Sequence, residues 1–85
     1  MKVHIPTQLR SYTRVSVVEA QGRTLVEVLS DLDRQFPGIR FRMINEQDEV
    51  REHIRIFVNR ETVFDLNKSL SGEDEVRIIG ALSGG

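Results

Sequence analysis

The sequence predicts an α+β fold, a mixed four- to five-stranded sheet packed on one main helix. Three observations lead there. Residues 24–36 carry one long helical pattern with one apolar stripe. Short runs rich in β-branched residues lie on both sides of it, at 2–5, 15–20, 54–59 and 75–79. One stripe can cover one face of one sheet, and most other two-layer folds need a second helix.

The elements follow in order. Residues 2–5 (KVHI) alternate Val3 and Ile5, and Pro6 closes the run. Residues 15–20 (VSVVEA) form a second strand, ended by Gln21 and Gly22. Together they make a hairpin with a connection over residues 6–14, longer than a tight turn. Thr24 and Glu27 have the T-x-x-E spacing of a capping box, in which each side chain satisfies a free N–H at the helix start. Leu25, Val28, Leu29, Leu32 and Phe36 then recur at spacings of three and four. Pro37 and Gly38 stop the helix.

Residues 39–44 read either as a short helical turn or as an irregular connector packing Ile39, Met43 and Ile44. Residues 45–52 are polar and acidic, the least structured internal stretch. Residues 54–59 (IRIFVN) are a strong strand, 62–64 a brief edge strand, 71–74 a turn, and 75–79 (EVRII) the last strand. Such a string, β-β-α-β-β with one short extra strand, suits a β-grasp: a mixed sheet wrapped across a single helix. Residues 1–79 would form the domain, and 80–85 a flexible tail that adds nothing to the core.

Composition narrows the function. A chain of 85 residues makes one modest core. With 12 basic and 13 acidic residues the net charge is −1, which gives no reason to expect nucleic acid or an anionic membrane as partner. The absence of cysteine removes disulfides, thiolate metal sites and a cysteine nucleophile together. No apolar run approaches the roughly 20 residues of a membrane span, and no signal-peptide pattern opens the chain, so a cytoplasmic protein is expected.

The reactive candidate is the end, Ala81-Leu82-Ser83-Gly84-Gly85. Without Cβ atoms the last two residues fit a channel that excludes side chains. The Gly85 carboxylate is then open to attack, but it is a poor electrophile. It needs activation, as an acyl-adenylate formed with ATP by a partner enzyme. A sulfur donor displacing AMP would leave a C-terminal thiocarboxylate, and a lysine amine would leave an isopeptide bond. The plain alternative is a frayed end with no function.

The rest of the chain favours chemistry. Ile54-Arg55-Ile56-Phe57-Val58-Asn59, then Gly72-Glu73-Asp74-Glu75-Val76, then residues 78–85 (IIGALSGG) resemble the MoaD/ThiS sulfur carriers. That family commonly shows a vfVN strand, a dGDeV turn and an apolar strand running into Gly-Gly. Val3-His4-Ile5-Pro6-Thr7 with Leu9-Arg10, Gly22 with Thr24-Leu25, and Pro37-Gly38-Ile39 resemble its cysteine-biosynthesis branch, the CysO-type carriers. The likeness spans nearly the whole chain. It implies a ubiquitin-like β-grasp, no bound cofactor, and a protein co-substrate in place of an enzyme. The implied partners are an adenylating enzyme of the ubiquitin-activating type, which uses ATP, and a sulfur-accepting synthase. A cysteine synthase is the first expectation for that acceptor, molybdopterin synthase the next, thiazole synthase behind. Two departures stand out. Glu73-Asp74 replaces the usual Gly-Asp order, and Gly80 sits where the family often has proline, which suggests a looser tail exit.

Strand alternation also predicts a docking face. Ile54, Ile56, Val58, Val76 and Ile78 should meet the helix. Arg55, Phe57, Arg77 and Ile79 should point away from it, forming an apolar patch flanked by two cations near the tail. Other signals carry little. His4 and His53 suggest structural or solvated roles, with no metal site. The carboxylates at 46–52 and 73–75 read as solvated charge in a loop and a turn, and the arginines are dispersed among acids. Phosphate-loop, dinucleotide and Ser-His-Asp patterns are absent.

Overall fold

The computed structural model describes residues 1–80. The elements run β1 (Lys2–His4), a 3-10 turn (Thr7–Leu9), α1 (Arg10–Thr13), β2 (Val17–Glu19), α2 (Leu25–Gln35), α3 (Ile39–Met43), β3 (Ile54–Val58), β4 (Glu61–Thr62) and β5 (Val76–Gly80).

Helix α2 starts where the capping pattern puts it. Thr24 is extended, and its hydroxyl accepts the Glu27 N–H at 3.3 Å. Glu27 reaches back and accepts the Arg23 N–H at 2.8 Å, one residue earlier than in the usual box. Two donors at the helix start are thereby satisfied. Leu25, Val28, Leu29 and Leu32 are fully buried, and Phe36 ends the helix with its N–H on the Leu32 carbonyl. Gly38 then takes φ 97°, a backbone region that disfavours any side chain. Asp33 of α2 accepts the N–H groups of Gly38 and Arg40, both at 3.1 Å, and so caps α3 from outside. Residues 39–43 are therefore helical, and Ile39, Met43 and Ile44 are buried as expected.

The sheet order is β2-β1-β5-β3-β4. Strand β1 pairs parallel with β5, and every other neighbour pair is antiparallel. Register aligns Val18, Val3, Val76 and Val58 in one row under the helix, with Ile78 and Ile56 in the next. Each fully buried aliphatic side chain stabilises the fold by about 1.5–3 kcal/mol. A β-grasp with an α+β layer is thus what the chain forms. Among the described residues, no buried side-chain nitrogen or oxygen lacks a hydrogen-bond partner, and no helix is long and apolar enough to cross a membrane.

Four local expectations change. The connection after β1 contains the 3-10 turn and α1, held down by buried Leu9 and Thr13. The Thr13 hydroxyl stays satisfied because it donates to the Val15 carbonyl at 2.7 Å. The polar stretch at 45–52 is tied together: Asn45 Oδ1 accepts the N–H groups of Gln47 and Glu49, and Ile44 bridges Val50. The edge strand is Glu61–Thr62, not 62–64, although the Val63 N–H still reaches the Ile56 carbonyl at 2.8 Å. Finally, Gly80 is not the start of the tail. It is the last residue of β5, opposite Ile54, so the strand runs one residue further than alternation alone marked.

The junction between β3 and β5 is closed by one asparagine. Asn59 takes φ 58° just after β3. Its side chain accepts the Glu75 N–H and donates to Asp74 Oδ1, both at 3.1 Å, while its own N–H donates to the Glu75 carbonyl at 2.7 Å. Asp74 in turn accepts the Ser71 N–H at 2.9 Å.

Two outcomes follow. Leu29→Ala removes a fully buried side chain at the centre of the stripe and should lower stability by about 2–5 kcal/mol in urea unfolding; a loss below about 1 kcal/mol would contradict this packing. Acid should also destabilise the fold. The Ser71 N–H, then the Asn59 amide, hold the Asp74 carboxyl below its ordinary value, and the Arg34 guanidinium, then the Gln21 N–H, do the same for Asp31. A carboxyl with a lowered folded value binds fewer protons folded than unfolded, so its stabilisation is full above the unfolded value and lost as pH falls through the folded one. The urea midpoint should be level above about pH 5 and fall steadily below about pH 4. A midpoint flat through that acid range would contradict it.

Candidate functional site

The proposed acyl end, Gly85, and the residues leading to it, Ala81, Leu82, Ser83 and Gly84, lie outside the described residues. What the structure positions is the root from which they leave. Strand β5 lies between β1 and β3, so the root at Gly80 emerges from the middle of the sheet.

The outward face of the sheet follows the alternation. Register sets Val17, His4, Arg77, Phe57 and Thr62 in one row across all five strands, with Arg55 opposite Ile79 in the next row towards Gly80. The four residues expected on this face are all there. Their apolar character is uneven, because Ile79 is 40% exposed whereas Phe57 is half-buried among its neighbours. Val17, also 40% exposed, belongs to the same face and was not singled out from the sequence. Its signal was the alternation of 15–20, which needed the β1 register to place it in the row of His4 and Arg77.

The charged groups of this face are held in different ways. Arg55 curls back, donating to the carbonyls of Glu52 and Ile54, each at 3.0 Å. Arg77 lies between an open groove on one side and Asn59, Arg60 and Glu75 on the other. His4 donates from Nε2 to Glu75 Oε1 at 2.7 Å, and this contact, helped by Lys2 and Arg77, holds the Glu75 carboxyl below its ordinary range. His4 is thus a surface pairing residue. His53 lies apart, beside Tyr12, Phe41 and Arg51, with the Arg51 guanidinium 4.6 Å above the Phe41 ring.

The open groove, of about 620 Å³, runs between the 3-10 turn and β5 and ends at Gly80. His4, Gln8, Arg10, Val17, Arg77 and Ile79 are among its walls. Gln8 was missed by the sequence reading: its side-chain amide donates to the Gly80 carbonyl at 3.2 Å across 72 positions of sequence. No local pattern marks such a contact. The site is an open surface groove beside the end of β5, lined by both polar and apolar groups.

Known proteins resemble this chain in sequence and fold. The ThiS family model matches residues 3–85. The sulfur carrier protein CysO of Mycobacterium tuberculosis is 36% identical over 89 residues, covering 98% of this chain and 96% of the relative. A chain of the Amycolatopsis orientalis BexX/CysO complex superposes with TM-score 0.90 at 33% identity, covering 99% of this chain and 98% of that one. The small archaeal modifier protein 1 of Methanosarcina acetivorans shares the fold, with TM-score 0.82 at 24% identity and coverage of 99% and 94%. With its family match running from the first strand to the last glycine, the chain belongs to the ThiS family.

Proposed function

We propose that the protein is a sulfur carrier, a co-substrate whose Gly85 carboxylate is adenylated and then converted to a thiocarboxylate. The observation that carries this reading is the near full-length likeness to a CysO carrier, together with the ThiS family match that extends through Gly84 and Gly85.

A Gly85 carboxylate oxygen attacks the α-phosphorus of ATP held by a ubiquitin-activating-type enzyme, and pyrophosphate leaves. A hydrosulfide equivalent then attacks the acyl carbon of the adenylate. The C–O bond to AMP breaks, and Gly85 carries a thiocarboxylate. The chain supplies the acyl group and a handle for two successive partners, while ATP, sulfur and catalytic groups come from them. The CysO likeness favours a cysteine-forming synthase as acceptor. The likeness to an archaeal modifier is at the level of fold, so it lends no weight to conjugation.

Docking would use the outward sheet face: Phe57 and Ile79 with Arg55 and Arg77, joined by Val17. Support comes from the exposure of Ile79 beside the tail root and of Val17 in the same groove, and from the position of Arg77 between two surface hollows. Exposed apolar side chains grouped on one face mark interaction surfaces more often than scattered ones do.

Chain-dependent ATP–pyrophosphate exchange by the host's adenylating enzyme tests both parts. Deleting Gly84 and Gly85 should abolish exchange. Replacing Phe57 and Ile79 together by Ser should leave a folded chain and lower kcat/KM at least tenfold, through KM. Exchange that survives the deletion would reject the acyl end; unchanged kinetics in the double Ser variant would reject the face.

A further inference from the structure

We propose that Gln8 is a positioning residue that clamps the root of the tail, and that position 80 is glycine so that the clamp can close. This role rests on the carrier reading above.

Strand β5 outruns its parallel partner. The ladder with β1 ends at His4 opposite Arg77, and Pro6, which has no N–H, turns the chain away. Antiparallel pairing with β3 continues on the other side to Ile54 opposite Gly80. The last residues of β5 therefore have a strand on one side and lack one on the other. Gln8 occupies the empty side, and its amide donates to the Gly80 carbonyl at 3.2 Å.

The base of Gln8 is well anchored. Its 3-10 turn is pinned by Leu9, buried in the core, and by the Leu9 N–H on the Pro6 carbonyl at 3.0 Å. On either side of the turn, the Ile5 N–H donates to Ser16, and Arg10 donates back to the Ile5 carbonyl. A rigid turn thus carries a side chain of the right length to the strand end.

Gly80 supplies the space. It is not among the glycines with positive φ, so its backbone does not require glycine. A Cβ there, however, would lie 2.6 Å from Gln8 Cδ and Oε1 and 2.7 Å from Nε2. The clash is with the far end of a flexible side chain, so an alanine would evict Gln8 at small cost to the fold. Fixing the Gly80 carbonyl fixes the peptide plane through which the tail leaves. Five residues beyond it reach at most about 17 Å, and angular play at the root is multiplied along that length. Delivery of an acyl carbon into a partner's site tolerates little such error.

Three variants isolate the clamp: Gln8→Met keeps length but removes the donor, Gly80→Ala evicts the side chain, and the third combines them. Each single change should lower kcat/KM for ATP–pyrophosphate exchange about three- to tenfold, through KM with kcat nearly unchanged. The double variant should be no worse than either single one, because both remove the same contact. Melting temperatures should stay close to that of the unaltered chain, since Gln8 is exposed. By ¹⁵N relaxation, the Gln8 side-chain amide should be ordered in the unaltered chain and mobile in Gly80→Ala. Unaltered kcat/KM in the single variants, additive losses, or a Gln8 amide equally mobile in both chains would overturn the proposal. If the unaltered chain stimulates no exchange, the carrier reading fails instead, and the relaxation measurement alone decides whether the clamp exists.

Discussion

The structure depends on the placement of the last strand in the middle of the sheet. Strand β5 has to pair parallel with β1 through Val3 and His4 and antiparallel with β3 through five registered positions. Without it the N-terminal hairpin and the β3–β4 pair would be two separate ribbons, each marginal in water. With it, the row Val18, Val3, Val76 and Val58 becomes continuous, and one helix suffices to cover it. Closing a parallel pair so distant in sequence costs loop entropy, which the burial completed by that pairing offsets. The same placement puts Gly80, the last described residue, in the middle of a braced sheet.

Much of what reads as a functional motif is structural. Asn59, the asparagine of the IRIFVN run, holds the turn before β5 through three hydrogen bonds, and Asp74 locks that turn through Ser71 and Asn59. Their task is to deliver β5 in register. The departure Glu73-Asp74 keeps the aspartate that does this and alters an exposed neighbour. In the proposed carrier role, chemistry on a chain without cysteine would concentrate at a single group, the acyl end, and the body would serve to present it. Recognition would then fall to the outward face, where Ile79 and Arg55 lie next to the Gly80–Ile54 pair and Arg77 lies three positions before Gly80.

Helix α2 was legible because two independent codes agreed on it, the capping spacing and the apolar stripe, and both are local. The faces of β3 and β5 were legible for the same reason, since alternation needs no knowledge of partners. The order of strands was not, because it is set by pairing between elements far apart in the chain. Residues 7–13 form helical turns because Leu9 and Thr13 are buried by distant elements, which a short polar run cannot announce. Asp33 capping α3 and Gln8 meeting Gly80 are likewise contacts made by tertiary approach. Gly80 shows the error most clearly: a residue read as slack is a laddered strand end packed against a side chain from the other end of the chain.

Carrier and modifier share every step as far as the adenylate, so the decisive quantity is what becomes bonded to the Gly85 acyl carbon. Intact mass of the protein isolated from its host, under conditions that spare thioacids, reads this directly. A sulfur carrier should give a species ending at Gly85 that is heavier than the free acid by the difference between one sulfur and one oxygen atom, and that reverts to the free acid when sulfur is given up to an acceptor. A population found only as adducts to lysines of other proteins, or one that always carries residues beyond Gly85, would contradict it.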